Sequence, residues 1–350
     1  MRVRKNKEHT VFNDYLKGLA KKTGKSVSYY EYDSTAVDLD NFIAAQAFFK
    51  YSQNDICIFN GGPEPVFSHY RTGGWVWTRG YRILQPYVDV WTSSIGEDIP
   101  DNWWYMPYWL KTLDKHPEGS VVLKEYTTKE DRPIKLFCWM RRQYQHRVDL
   151  ADALWESGNM KNIEFVFPHQ WVEAERELPE QYHLKNYMKN YEAAKDYIGT
   201  EPIGHALGEN GARDTFGGYT ERLDRMCELV SETRANDPYK QIFYSEKTFR
   251  IMRTGQLGLW WAYPGSVAGI KDMGFKVFEK WINHEYDTIE DYKDRLKALM
   301  DEVTRLTHLS DQEWLDIWEA THPDRIYNQT HLLNSLPNET EFMKYAQSKN

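Results

Sequence analysis

Apolar and polar positions alternate in short runs early in the chain and settle into longer helical periods towards its end. Residues 55–60, DICIFN, run into Gly61, Gly62 and Pro63, and residues 87–94, YVDVWTSS, share that texture. Both predict short strands that end in loops. From residue 134 the rhythm becomes strand, turn, helix. IKLFCWM (134–140) precedes a helix from about His146, on which Val148, Ala151, Leu154 and Trp155 share one face and Gly158 marks the stop. IEFVF (163–167) leads through a loop to a Tyr- and Lys-rich helix near 182–197, and CELVSET (227–233), QIFYS (241–245) and LGLWW (257–261) supply further strands. Strands alternating with helices predict an α/β protein with a mainly parallel sheet covered on both faces. From Glu290 the tail is charged and helical in period, with Leu296, Leu299, Met300 and Val303 on one face, and is expected to pack across the domains. The charged TTKEDRP stretch near residue 130 marks the expected domain boundary.

Composition narrows the classes. At 350 residues and 41% apolar content the chain can bury two ordinary cores, which excludes general disorder. Its longest apolar stretches, such as LGLWWAY (257–263), fall far short of the roughly 20 residues of a membrane helix. The basic start MRVRKNKEH leads into no apolar segment of the secretory kind, so a cytoplasmic location is expected, without membrane insertion. Cys57, Cys138 and Cys227 are widely spaced, which argues against a disulfide framework and against a structural zinc site. A formal charge of −8 means that any polyanion must be met by a local basic site. Trp and Tyr together make 38 residues, an aromatic load that suits stacking on sugars or bases and suits a large core equally well.

Two constellations carry candidate chemistry. The first is KLFCWMRRQYQHRVDLADALWESG, where Arg141, Arg142, His146 and Arg147 follow a strand end and open a helix. In open parallel sheets ligands bind beyond the carboxyl ends of the strands, where helix N-termini favour anions. Guanidinium forks match phosphate oxygens, so four potential cations at this turn fit a diphosphate clamp; pairing with Asp149, Asp152 or Glu156 on a solvated face is the plainer alternative. The second is FYSEKTFRIMRTGQLGLWWAYPGSVAGIKDMGF. Ser245, Glu246, Lys247 and Thr248 form a polar turn, a short helix through Phe249 and Met252 stops at Gly255, and a strand then leads to Gly265 and to Ser266, the expected N-cap of a helix that exits at Gly274. A glutamate accepts from a ribose diol and lysine or arginine neutralises phosphate, although Ser-Glu-Lys-Thr also suits a capped, salt-bridged helix start.

On these two blocks, over residues 135–305, the chain resembles a family of phage and large-virus glycosyltransferase-like proteins, whose pattern has an RRxxxHR turn, then SEKTFR, a helix-ending glycine, a Pro-Gly-Ser turn and a Gly-Phe segment. The second block is similar, more distantly, to fucosyltransferase-like donor-binding regions. Trp139-Met140 and the bulky GQLGLWWAY depart from the family's usual residues, which bears on which sugar fits. The resemblance implies a GT-B-like fold of two Rossmann-like domains: an acceptor-side domain over 1–130, a donor-binding domain over 131–285 and a C-terminal helical extension over 286–350. It implies a nucleoside diphosphate sugar as partner, held by Arg141, Arg142, His146, Arg147, Ser245, Glu246, Lys247, Thr248, Arg250, Gly255, Gly265 and Ser266. Cations at the clamp would stabilise the departing diphosphate, so no cofactor and no divalent metal are expected.

An inverting transfer also needs a base for the acceptor hydroxyl. Glu64, His69 and Asp89, each read at or after a strand end, are the candidates. Asp38-Leu39-Asp40 has the DxD form of metal-dependent transferases but more simply caps the helix at NFIAAQAFF, and no His/Asp/Glu group has metal spacing. The acceptor is either a glycan or a hydroxymethylated pyrimidine in bacteriophage DNA, in which case the host cytoplasm is the location. Trp75, Trp77, Trp103 and Trp104 would serve base flipping, and the stretch from Arg71 to Arg82, with Arg79 beside Tyr81, would face the DNA. The alternative class is a noncatalytic carbohydrate- or nucleotide-binding protein.

Overall fold

The structure is a computed structural model. It describes residues 27–31, 56–60, 89–92, 94–96, 104–105, 170–171 and 176–177 as strand backbone, and residues 134–140, 143–167, 183–200, 225–236 and 241–334 more fully. The chain divides into two compact units, Met1–Pro117 with Pro238–Tyr244 and Ser335–Asn350, and Glu118–Asp237 with Ser245–Asn334. It therefore passes between units more often than one boundary near residue 130 provides for.

In the first unit, β1 (Val27–Glu31), β2 (Ile56–Asn60), β3 (Asp89–Thr92) and β5 (Trp104–Tyr105) form a parallel sheet in the order β1-β2-β3-β5, and β4 (Ser94–Gly96) pairs antiparallel with β12 (Gln241–Phe243). QIFYS is thus a strand, as expected, but lies outside the second unit's parallel sheet. Asp89 opens β3 level with Ile58 of β2, so it begins its strand instead of following it. The candidates Glu64 and His69, the Asp38–Asp40 pair and the basic aromatic stretch 71–82 lie outside the described residues.

The second unit is built on β6 (Ile134–Trp139), β7 (Glu164–Val166), β10 (Ile198–Gly199), β11 (Arg225–Ser231) and β13 (Leu257–Trp261), all parallel, in the order β10-β7-β6-β11-β13. A short antiparallel pair joins β8 (Gln170–Trp171) and β9 (Arg176–Glu177). Counted within the unit, the strand order is 3-2-1-4-5, the doubly wound arrangement whose switch point lies between its first and fourth strands, here β6 and β11. Every residue of β11 and β13 is buried, as strands covered on both faces require. Tyr286 lends its hydroxyl to the Trp260 N–H at 3.0 Å, so β13 does not present that donor as an open edge.

Helices α1 (Gln145–Glu156), α2 (Tyr191–Ala194), α3 (Glu246–Thr254), α4 (Ser266–Asp272), α5 (Tyr292–Thr307), α6 (Asp311–Ala320) and α7 (His322–Asn334) are the α-helices among the described residues. One core joins Leu136, Cys138, Cys227, Leu229, Leu257 and Leu259 of the strands to Leu150 and Leu154 of α1, Leu299 and Val303 of α5, and Trp314 and Trp318 of α6. Burying each such leucine contributes about 1.5–3 kcal/mol, so these helices are held firmly on the sheet. The segment read as an extension from 286 is, up to residue 334, part of this second unit and its core. The helix expected near 182–197 is broken into a 3-10 turn (Leu184–Asn186), the single turn of α2 and a second 3-10 turn (Lys195–Tyr197). Its buried residues Leu184, Met188 and Ala194 do not sustain one helical face, and Asp152 of α1 accepts from the N–H groups of Lys189 and Asn190 instead.

Candidate functional site

The carboxyl end of β11 delivers Glu232 into the middle of the second unit with no exposed surface at all. Four donors meet its carboxylate: the N–H of Ser245 at 3.1 Å, the hydroxyl of Ser245 at 2.5 Å, the hydroxyl of Thr248 at 2.6 Å and the N–H of Thr233 at 3.1 Å. The Lys247 ammonium lies 3.9 Å from the same carboxylate and donates to the Ser245 hydroxyl at 2.7 Å. A buried charge is tolerable when it is paired and fully hydrogen-bonded, and this one is. Glu232 thereby fixes the start of α3, where Ser245 acts as N-cap, accepting from the Lys247 N–H, as the Ser-Glu-Lys-Thr pattern predicts.

Across the switch point, α1 starts at Gln145 with Tyr144 as its N-cap residue and no side-chain cap, which leaves its positive end suited to an anion. His146 shares its Nε2 proton with the Glu232 carbonyl oxygen at 2.9 Å. Arg147 is buried, its guanidinium 5.0 Å above the Tyr144 ring and 3.4 Å from the same carbonyl. Burial, followed by the charges of Arg147, Lys247 and Arg234, holds the His146 imidazole down to about 3, against the opposing hydrogen bond to Glu232. His146 is therefore not the fourth cation that the sequence suggests: it is neutral at physiological pH, first because it is buried and second because Arg147, Lys247 and Arg234 lie near it. Since a carbonyl only accepts, its neutral ring carries the proton on Nε2 and presents Nδ1 as an acceptor. Arg141 and Arg142 lie outside the described residues, and so does the side chain of Glu246.

The structure therefore brings His146, Arg147, Ser245, Lys247 and Thr248 together around Glu232, and it adds Arg234. It places the other expected residues elsewhere. Arg250 forms a buried ion pair with Glu228 inside the unit. Gly255 ends α3 in the left-handed region, φ 60°, against Gln329 and Arg325 of α7, at the far end of that helix from Ser245. Gly265, at φ 80°, is the N-cap residue of α4, and Ser266 is its first helical residue instead of the cap that the sequence suggests; its hydroxyl donates to the Tyr263 carbonyl. The Val267 and Ala268 N–H groups already donate to Asp287, at 2.9 and 3.1 Å, so the chain's own carboxylate takes the anion position there. Burial pushes that carboxyl up, and the N–H donors oppose the shift.

Glu232 and Arg234 were missed by motif reading, although Glu232-Thr233-Arg234 follows β11 just as the arginine turn follows β6. Among the described residues no cluster of three or more His, Cys, Asp or Glu side chains could hold a metal ion, and no helix is long and apolar enough to cross a membrane.

No protein family matches the chain, nor does any curated protein sequence. Among solved structures it is similar to one described as trehalose-6-phosphate from E. coli bound with UDP-2-fluoro glucose, with a TM-score of 0.43 and 11% identity over 96% of this chain and 78% of that one. A likeness of that degree assigns neither fold nor activity.

Proposed function

We propose that the chain is a nucleotide-sugar-dependent glycosyltransferase of GT-B-like architecture, with the donor diphosphate at the carboxyl ends of β6 and β11. The observation that carries the reading is the coincidence of the switch point of a 3-2-1-4-5 parallel sheet with the cations Arg147, Arg234 and Lys247. Sugar transfer, as distinct from nucleotide binding, is supported by the RRxxxHR and SEKTFR motifs, five of whose residues, His146, Arg147, Ser245, Lys247 and Thr248, gather at this point.

In this reading Lys247 and Arg147, with Arg141 and Arg142, neutralise the diphosphate as its bond to the sugar breaks, the largest electrostatic demand of the reaction. Glu232 touches no ligand; it holds Ser245, Lys247 and Thr248 in place. In this reading divalent metal is not required, and the acceptor's proton goes to a carboxylate or imidazole, with Glu64 and His69 as the candidates. The acceptor is a glycan or a hydroxymethylated pyrimidine of phage DNA, which a salt series separates: duplex binding weakens with a log–log slope of about −0.9 per contacted phosphate, and binding of a neutral glycan stays flat. A screen of nucleoside diphosphate sugars for binding and hydrolysis tests the function itself. Turnover of one donor supports the enzyme, binding without turnover on any acceptor reduces it to a binding protein, and no binding removes the reading.

A further inference from the structure

At the far end of α4 from the carboxyl edge of the sheet, the chain turns at Gly274 and lays residues 275–281 against α7. An open groove of about 600 Å³ lies there, within the size range of small-molecule sites. The segment is pinned from three sides. The Asn328 side chain accepts from the Lys276 N–H at 2.7 Å and donates to the Lys276 carbonyl at 2.8 Å. His284 bonds the Val277 carbonyl at 2.7 Å, and Arg305 bonds the Trp281 carbonyl at 2.7 Å. Phe278, in the groove lining, is the one non-glycine residue with positive φ among the described residues, at 64°. Such a conformation is strained and persists where the surroundings enforce it, as they do here.

The segment and α7 together present two aromatic rings, Trp281 and Tyr327, each with a lysine of the segment over it. Lys276 stands 5.2 Å from the Tyr327 ring centroid and Lys280 4.7 Å from that of Trp281. Lys271 is engaged by Glu279 at 2.6 Å, whereas neither Lys276 nor Lys280 has a carboxylate partner among the described residues. Tyr327 is 43% exposed and stacks on His331 with 5.5 Å between ring centroids. Asp324, in the first turn of α7, adds an exposed carboxylate to the rim.

We propose that this groove is a second binding site, for a phosphorylated sugar, either free or as the ribose phosphate of a nucleotide. The ring stacks on Tyr327 or Trp281, its hydroxyls donate to Asp324, and Lys276 and Lys280 turn from the aromatic faces onto the phosphate. An exposed cation–π contact is weaker than a charge-assisted hydrogen bond to phosphate, so the exchange favours the ligand. The site is separate from the switch point and does not depend on the proposed transferase activity.

The test is calorimetric titration of the full chain with ribose 5-phosphate, AMP, inorganic phosphate and uncharged ribose. Wild type, a Lys276→Gln/Lys280→Gln variant, Tyr327→Ala and Lys247→Ala are compared; the groove residues changed are exposed or at the surface. The expected result is that ribose 5-phosphate binds more tightly than inorganic phosphate or ribose. Affinity falls at least tenfold in the double lysine variant, loses its preference over inorganic phosphate in Tyr327→Ala, and is unchanged in Lys247→Ala. AMP binding that follows the same variants identifies the nucleotide as an alternative source of the ligand. Binding lost only in Lys247→Ala, binding equal in wild type and double variant, or no binding by any probe overturns the groove site without touching the nucleotide site.

Discussion

His146 Nε2 and the Glu232 carbonyl oxygen meet at 2.9 Å although 86 residues separate them in the chain. The contact ties the first turn of α1 to the end of β11 across the switch point of the sheet. The other face of Glu232, its carboxylate, ties β11 to the start of α3. One residue with no exposed surface thus aligns both motifs that the sequence sets a hundred residues apart.

Glu232→Ala is predicted to lower stability by about 3–5 kcal/mol, because it strands the Ser245 and Thr248 hydroxyls, the Ser245 N–H and the Lys247 charge together. Glu232→Gln keeps the shape and one acceptor and loses less. Urea unfolding of the two variants checks the order.

The neutral state of His146 makes stability depend on pH with a fixed sign. Above about 6.5 the imidazole is neutral in both folded and unfolded chains. Below it the unfolded chain takes up a proton that the folded one resists down to about 3, so stability falls as pH falls through that window. Between pH 7 and 4.5 this contributes a loss of about 2–3 kcal/mol that His146→Gln lacks, at about 1.4 kcal/mol per unit. Unfolding midpoints of wild type and variant across that range measure the difference.

Gly255→Ala forces a side chain into the left-handed region and sets its Cβ 2.6 Å from Gln329 Nε2, which is itself bonded to the Arg253 carbonyl. The strain and the displaced amide together predict a loss of about 2 kcal/mol, read as a lowered unfolding midpoint with nucleotide binding retained.

Much of this frame was legible in the sequence. LGLWW is β13 to the residue, and the helix stopped by Gly255 is α3, because apolar runs and caps are local signals, although α3 starts inside the expected SEKT turn, at Glu246. Of the face Leu296, Leu299, Met300 and Val303, the last three are buried and Leu296 is half-buried against the same core. The site was half legible. Motifs located His146, Arg147, Lys247 and Thr248, but nothing local says that Arg250 turns inward to Glu228 or that Asp287 occupies the end of α4, since both follow from tertiary pairing. Glu232 was hidden for the same reason: nothing local marks a glutamate in CELVSET as buried, and three of its four donors come from Ser245 and Thr248, more than ten residues away.

Sugar transfer is predicted to persist in EDTA, because lysine and arginine neutralise the diphosphate. Loss of turnover on chelation and its return with Mn²⁺ would point instead to the Asp38 and Asp40 pair.

The most direct measurement is calorimetric titration of wild type and Lys247→Ala with nucleoside diphosphates. Lys247 lies 3.9 Å from Glu232, whose four hydrogen-bond donors remain when the ammonium is removed, and the unfolding midpoint of the variant is compared with that of wild type before titration because the buried carboxylate loses its counter-charge. The account predicts that at least one diphosphate binds wild type and that the variant binds it about tenfold or more weakly, the loss of one charge-assisted phosphate contact. Equal affinity in a folded variant, or no diphosphate binding by the wild type, would contradict it.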